Sequence, residues 1–201
     1  KYFKEYLEYG AYPFVLEDKD GFTQRLVQVV NLILETDLPY INRIEMAQIG
    51  KLKKLLYLLA INVPFIPNIT DLAESTQISR PKVYEYLNHL EQAKIINTHQ
   101  KKEKGYNVLS KPEKLLMQNT NLSFALTSSV DIGSMREAFF VNQIKNSLAE
   151  KNRFLDESIY VSKQGDFLVD NTYTFEIGGK NKGFKQIKDL SKSYVASDEI
   201  D

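Results

Sequence analysis

The chain contains no cysteine, which excludes a disulfide framework and a thiolate zinc site and fits a reducing, cytoplasmic setting. It has no net charge either, with 26 Lys and Arg against 26 Asp and Glu. Such a balance gives no global field to draw in nucleic acid or an anionic membrane, so any charged partner must be met by a local patch. Long apolar runs are missing. The longest, Leu55 to Ile61, falls far short of the roughly 20 residues that span a bilayer, and no signal-peptide pattern opens the chain. No Gly-x-x-x-x-Gly-Lys-Ser/Thr phosphate loop occurs, which excludes that mode of ATP binding for these residues. The expectation is a soluble, cytoplasmic protein with no membrane partner.

What is present is enough for one large or two small domains: 201 residues, 43% hydrophobic and 26% charged, the balance of an ordinary protein with a real core. The chain opens at Lys1 directly in a helical pattern, with Tyr2, Phe3, Tyr6 and Tyr9 on one face. So much apolar surface at the start suggests a piece of a longer protein. Gly10 to Pro13 breaks this helix. From Gly21 a second helical spacing (Phe22, Leu26, Val29, Val30, Ile33, Leu34) is expected to end near Asp37-Leu38-Pro39, and residues 51 to 61 form another apolar helix closed by Pro64 and Pro67.

The best-defined unit of the first half follows. Thr70 to Glu74 begins with capping chemistry and starts a short helix. Ser75 to Ser79 reads as a turn, and Ser79 can cap a second helix whose first turn holds Arg80 and Pro81 and which runs to about Ala93. Ile95 to His99 looks like a strand, Lys101 to Gly105 a basic turn, and Tyr106 to Leu109 a return strand. Helix, turn, helix and hairpin in that order predict a winged helix-turn-helix. The second helix would expose Arg80, Lys82, Tyr84, Asn88 and His89, residue types that contact bases and phosphates. With Lys101, Lys102 and Lys104 on the wing, residues 80–104 carry a local excess of about three positive charges, suited to salt-sensitive phosphate contact. DNA is the expected partner of this patch. A solvated face on a purely structural module is the competing reading, and His89 and His99 read as structural.

Past Ser110-Lys111-Pro112 a new region begins, with a polar turn at Asn119 to Asn121. Ser134 to Leu148 is predicted as a helix from Met135, Phe139, Phe140, Ile144 and Leu148. Short strands follow at Ser158 to Val161, Phe167 to Val169, Tyr173 to Ile177 and Tyr194 to Val195, with a Lys-rich helix from about Asn181 to Leu190. Asp166 and Glu176 stand where neighbouring strands can bring them together, and Glu137 on the preceding helix can add a third carboxylate. Hard oxygen ligands of this kind hold Mg²⁺, and a nearby Lys can position an attacking water. The order of Asp, Glu and Lys is that of a metal-dependent nuclease of the PD-(D/E)XK type. Its usual Lys, two residues after the Glu, is replaced by Gly178, so Lys180 is the candidate stand-in, with Lys182, Lys185 and Gln186 able to reach the same edge. A set of unrelated surface acids is the competing reading.

Phe3 to Pro13, Glu35 to Pro39, Lys111-Pro-Glu-Lys114, Asn119-Thr-Asn121 and Glu176-Ile-Gly-Gly-Lys180, taken in order, resemble the C-terminal half of prokaryotic AAA+-type ATPases of the archaeal ATPase-like superfamily. The resemblance implies an upstream ATPase domain as a partner in the same chain, with ATP bound only there. It also implies a helical lid or linker over residues 1–45, a winged helix-turn-helix over 46–110 and a PD-(D/E)XK-like α/β domain of uncharacterised function over 111–201, an α+β chain as a whole. Glu137, Asp166 and Glu176 take the metal and catalytic positions, with Lys180 as the fourth catalytic residue. The leading expectation is a DNA-associated region whose nuclease-like domain is degenerate. An active Mg²⁺-dependent endonuclease and a protein-interaction or self-association module are the alternatives.

Overall fold

A computed structural model of the chain describes residues 2–61, 66–102, 111–150 and 159–198. The helical spacings of the first half are realised as α1 (Tyr2–Tyr9) and α2 (Phe22–Leu32), with Phe22, Leu26 and Val30 of α2 buried at four-residue intervals. The predicted stop at Asp37-Leu38-Pro39 is not one. A π-helical turn (Ile33–Asp37) carries the chain on into α3 (Leu38–Asn42), and Leu38 N donates to Ile33 O. The wide turn shifts the hydrogen-bond frame just where Pro39 has no amide to give, so the helix survives a residue that would ordinarily break it. It ends instead at Arg43, in the left-handed region at φ 53°.

The helix expected from residue 51 starts earlier, as α4 (Met46–Ile61), and buries Ile49, Leu52, Leu55, Leu56 and Leu59. Next come α5 (Ile69–Thr76), a tight turn through Gln77 at φ 55°, and α6 (Arg80–Gln92). The cap of α5 is Asn68, whose side chain accepts from Thr70 N at 3.1 Å, rather than Thr70 itself. Ser79 makes no side-chain cap bond. One apolar core joins α2 to α6.

β1 (Ile96–His99) pairs antiparallel with β2 (Lys114–Met117). The return strand expected at Tyr106 to Leu109 lies outside the described residues, and the β1–β2 ladder crosses the expected division at 110/111. This hairpin is a wall between two cores, because successive strand residues face opposite ways. Ile96, Leu115 and Met117 belong to the helical core, whereas Leu116 belongs to the second one. On β1, Thr98 is held to α6 by two 2.7 Å hydrogen bonds to Glu91, while Asn97 and His99 reach the other side.

Asn119 to Asn121, expected as a turn, starts α7 (Thr120–Leu126), with Asn119 Oδ1 capping Leu122 N. Asn121 ties this helix back to α1: its Oδ1 accepts from Ala11 N at 2.7 Å and its Nδ2 donates to Leu7 O at 2.8 Å. α8 (Ile132–Glu150) then packs on a four-stranded sheet in the order β3 (Ile159–Val161), β4 (Phe167–Val169), β5 (Tyr173–Gly178), β6 (Ser193–Ser197). The first two pairings are antiparallel and β5–β6 is parallel. The Lys-rich helix expected over 181–190 is absent; that stretch holds a 3₁₀ turn (Phe184–Gln186) among other turns. Ile187 alone is fully buried, against Gly165, and Ser193 Oγ donates to Ile187 O and Leu190 O, which fixes the turns. The whole is an α+β structure. Among the described residues no helix is long and apolar enough to cross a membrane.

Candidate functional site

The acid positions are set by the β4–β5 ladder. Phe167 pairs with Phe175, so Asp166 lies one residue before this pair on β4 and Glu176 one residue after it on β5. Both acids therefore leave the same end of the strand pair. Gly165, at φ +85°, permits the entry: a Cβ there would stand 2.9 Å from Ile187 Cγ2 and 3.0 Å from Phe175 O. Asp166 N donates to Phe175 O at 2.8 Å, and Asp166 Oδ2 accepts from Ile177 N at 2.7 Å. One carboxylate oxygen is thus spent on fixing the side chain, and Oδ1 is left to face the cluster.

Lys114, the first residue of β2, brings a cation into this place from the hairpin. Its Nζ lies 2.9 Å from Glu137 Oε2 and 3.6 Å from Asp166 Oδ1, and 4.8 Å from the centre of the Phe167 ring. The approach to Glu137 is an ion pair. Burial pushes the Glu137 carboxyl above the usual carboxylate range, and Lys114 pulls it partly back.

Glu176 is the deepest of the acids, 1% exposed. Its Oε1 takes the ammonium of Lys182 at 2.6 Å, and its buried Oε2 has no hydrogen-bond partner among the described residues. The hydrogen bond to Glu176 holds the Lys182 pKa above its ordinary value, with Asp166 and Glu137 adding to the attraction.

Gly178 explains how Lys182 arrives. A Cβ at position 178 would lie 2.6 to 2.7 Å from Cβ, Cγ and Cδ of Lys182. The lysine stem lies where a side chain at 178 would be, so its route to Glu176 requires glycine there. Gly179 is crossed in the same way by Arg136, whose Nη2 would stand 2.8 Å from a Cβ; Arg136 Nε bonds both oxygens of Asp198 at 2.8 and 2.9 Å. Two cationic side chains thus pass over adjacent glycines.

The structure brings Glu137, Asp166 and Glu176 to one neighbourhood with Lys114 and Lys182. Lys180 is exposed, as are Lys185 and Gln186. Among the described residues no three carboxylate or imidazole groups are gathered tightly enough, as they stand, to form a metal cage. Sequence reasoning missed the role of Lys114, and the available signal was a charge set directly against the apolar run Leu115-Leu116-Met117. It also placed Lys182 on a helix that does not form.

The residues expected to touch DNA lie elsewhere. Arg80 is exposed, with its guanidinium bonded to Thr70 Oγ1. Lys82 pairs with Glu85 at 2.8 Å, and Lys101 pairs at 3.2 Å with Glu113, which lies outside 80–104 and so takes one charge from the expected excess. Tyr84 and Asn88 are half-buried and Lys102 is exposed. Lys104 lies outside the described residues. His89 and His99 are both buried; His99 Nδ1 lies 3.3 Å from Ile159 O and its ring meets the Phe167 ring edge-on.

Residues 1–131 match the family model described as Domain of unknown function (DUF8612). The match takes in the helical half and the hairpin and stops at the threshold of α8, so Lys114 lies inside it and the three acids outside. No curated protein and no solved structure matches the chain.

Proposed function

The chain belongs to the DUF8612 family, and we propose that it is the DNA-associated C-terminal region of an AAA+-type ATPase, with a nuclease-like α/β unit whose acids receive a divalent cation. The observation that carries the reading is the convergence of Glu137, Asp166 and Glu176 with Lys182, which reaches Glu176 across Gly178. A helix followed by an antiparallel three-strand meander and a fourth parallel strand supports the PD-(D/E)XK-like reading, though without the expected helix before the last strand, and α4 to β2 supports that of a winged helix-turn-helix.

The donor set fits Mg²⁺ or Mn²⁺. The unpartnered, buried Oε2 of Glu176 is a hard oxygen whose burial costs free energy until a cation or donor meets it. Asp166 Oδ1, which faces the Lys114 ammonium at 3.6 Å, is a second hard oxygen, and Mg²⁺ commonly takes one or two carboxylates while keeping waters. A bound cation would supply Lewis-acid and water-activating chemistry. Asp166 and Glu176 would hold it, Lys182 would orient Glu176, and Glu137 would act from the edge. Arg80, Lys94 and Lys102 are exposed cations on the helix-turn-helix side, and Arg80 and Lys102 lie where the recognition helix and wing were expected to contact phosphates.

Two assays test the proposal. Duplex binding should weaken steeply with salt and fall in an Arg80→Ala, Lys102→Ala double variant; unchanged affinity would remove this face from the interface. Supercoiled plasmid incubated with Mg²⁺ or Mn²⁺ should be nicked by the wild-type protein and not by Glu176→Ala. Cation binding without nicking would leave a degenerate site that binds and does not cut.

A protein-interaction module is the second reading, favoured by exposed Tyr40, Ile41 and Met46 around α3 and the start of α4. Light scattering with and without DNA separates the two: self-association in the absence of DNA would favour the second.

A further inference from the structure

Resting on that reading of the acids as a cation site, we infer that Lys114 is a built-in counter-ion that holds the site closed, so that a divalent cation enters only as the Lys114 ammonium leaves. The lysine does not belong to the unit whose acids it neutralises. It heads β2, whose Leu115 and Met117 are anchored in the helical core, and it crosses the wall to lie against Glu137 Oε2 and Asp166 Oδ1. Its side chain is only 16% exposed and is bedded on the Phe167 ring. A single positive charge thus stands beside an oxygen that the cation needs.

The other lysine behaves differently. Lys182 binds Oε1 of Glu176 and leaves Oε2 unpartnered, while Asp166 Oδ2 is fixed by Ile177 N. Withdrawal of Lys114 alone would therefore free Asp166 Oδ1, just before the strand paired with that of the already unpartnered Glu176 Oε2, and leave both side chains fixed by their other oxygens. Like charges repel, so a cation at these two oxygens and an ammonium at 3.6 Å from one of them oppose each other. The competition has a mechanical side. Beside Lys114, the hairpin is latched to the α/β unit by Asn97 Oδ1, which accepts from Lys145 Nζ at 2.7 Å, and by Val161 N, which donates to Gln100 O at 2.9 Å. A displacement of β1–β2 in the helical half would carry Lys114 with it and open the site from a distance.

The experiment is calorimetric titration of Mn²⁺ into the wild-type chain, Lys114→Met and Lys114→Arg, each checked for folding by circular dichroism. The expected result is at least tenfold tighter binding by Lys114→Met, with Lys114→Arg near the wild type. A merely structural lysine would give the opposite order, because loosening the fold weakens the site. A measurement on the wild type alone covers the case in which Lys114→Met does not fold. Acylation of lysines read by mass spectrometry should rise several-fold at Lys114 when Mn²⁺ is added and stay unchanged at Lys182. Equal affinities, or labelling of Lys114 that ignores bound Mn²⁺, would overturn the counter-ion role and leave the cation site standing. Absence of Mn²⁺ binding in every protein would overturn both.

Discussion

The two sides of the β1–β2 wall bury polar groups in different ways. In the helical half two buried neutral groups answer to the backbone: Thr76 Oγ1 donates to Leu72 O at 2.6 Å, and Asn121 bonds Ala11 N and Leu7 O. In the α/β half the acids of the cluster answer to charged side chains, Glu176 to Lys182 and Glu137 to Lys114. A neutral group bonded to backbone is satisfied wherever the fold holds. A buried charge is tolerable only while its partner stays. The first kind of burial makes a scaffold, whereas the second concentrates unspent interaction at one place, where a ligand can replace a partner.

The comparison breaks most visibly at the wall. Phe167 is fully buried and touches Phe140, His99 and the Lys114 ammonium, so Phe167→Ala is expected to cost about 3–5 kcal/mol. Urea unfolding followed by circular dichroism checks the loss. A single shifted transition would show the halves unfolding together, and a separate early transition would show the α/β half failing alone.

Next in size is Lys182→Ala, which strands the Glu176 carboxylate and should cost about 3 kcal/mol. Gly178→Ala should approach the same loss without touching either charge, because its methyl would displace the Lys182 stem. If Gly178→Ala melts with the wild type, the crossing of Lys182 over position 178 is wrong.

On the neutral side, Asn121→Ala leaves the Ala11 amide and the Leu7 carbonyl without this partner and is expected to cost about 1–3 kcal/mol. Thermal melts measure it. The loss should be the same at pH 5 and pH 8, since nothing in the contact titrates, and a clear pH dependence would blur the contrast drawn between the halves.

The smallest effect is a pH slope. The folded state raises the Glu137 pKa, so it binds a proton more tightly than the unfolded chain does. The cost of ionising Glu137 is therefore absent below the unfolded carboxylate value and grows as pH rises through the raised one. Glu137→Gln, which carries no such cost, should gain stability relative to the wild type between about pH 4 and neutrality. A difference that stays flat, or runs the other way, would mean that Lys114 outweighs burial at this residue.

Much of the scaffold was legible because apolar periodicity reports which face is buried. The helices α1, α2, α4, α6 and α8 and the four strands of the larger sheet follow the spacing of their aliphatic and aromatic residues. Two of the failures share a cause: the helical start at Thr120 and the turns over 181–190 are settled by hydrogen bonds and contacts with distant parts of the chain, such as Asn121 with Ala11 and Ile187 with Gly165. The π turn at Ile33 is local, set where Pro39 has no amide to give. At the site, Asp166 and Glu176 were legible because strand spacing alone brings them together. Lys114 was not, since its place against Glu137 depends on how the hairpin docks on α8. Lys182 was named as able to reach this edge but was put on a helix, because the stem that reaches Glu176 runs over a glycine that reads, in sequence, as a missing residue.

The alternation along β2 also guards against error. Were the hairpin to pair one residue out of step, Lys114 would be driven among aliphatic side chains and Leu115 set against the carboxylates. Both layers would resist the same slip at once. One charged residue at the head of a four-residue strand therefore acts as a key for assembly: a chain that pairs its hairpin wrongly can complete neither half, and has every reason to let go and try again.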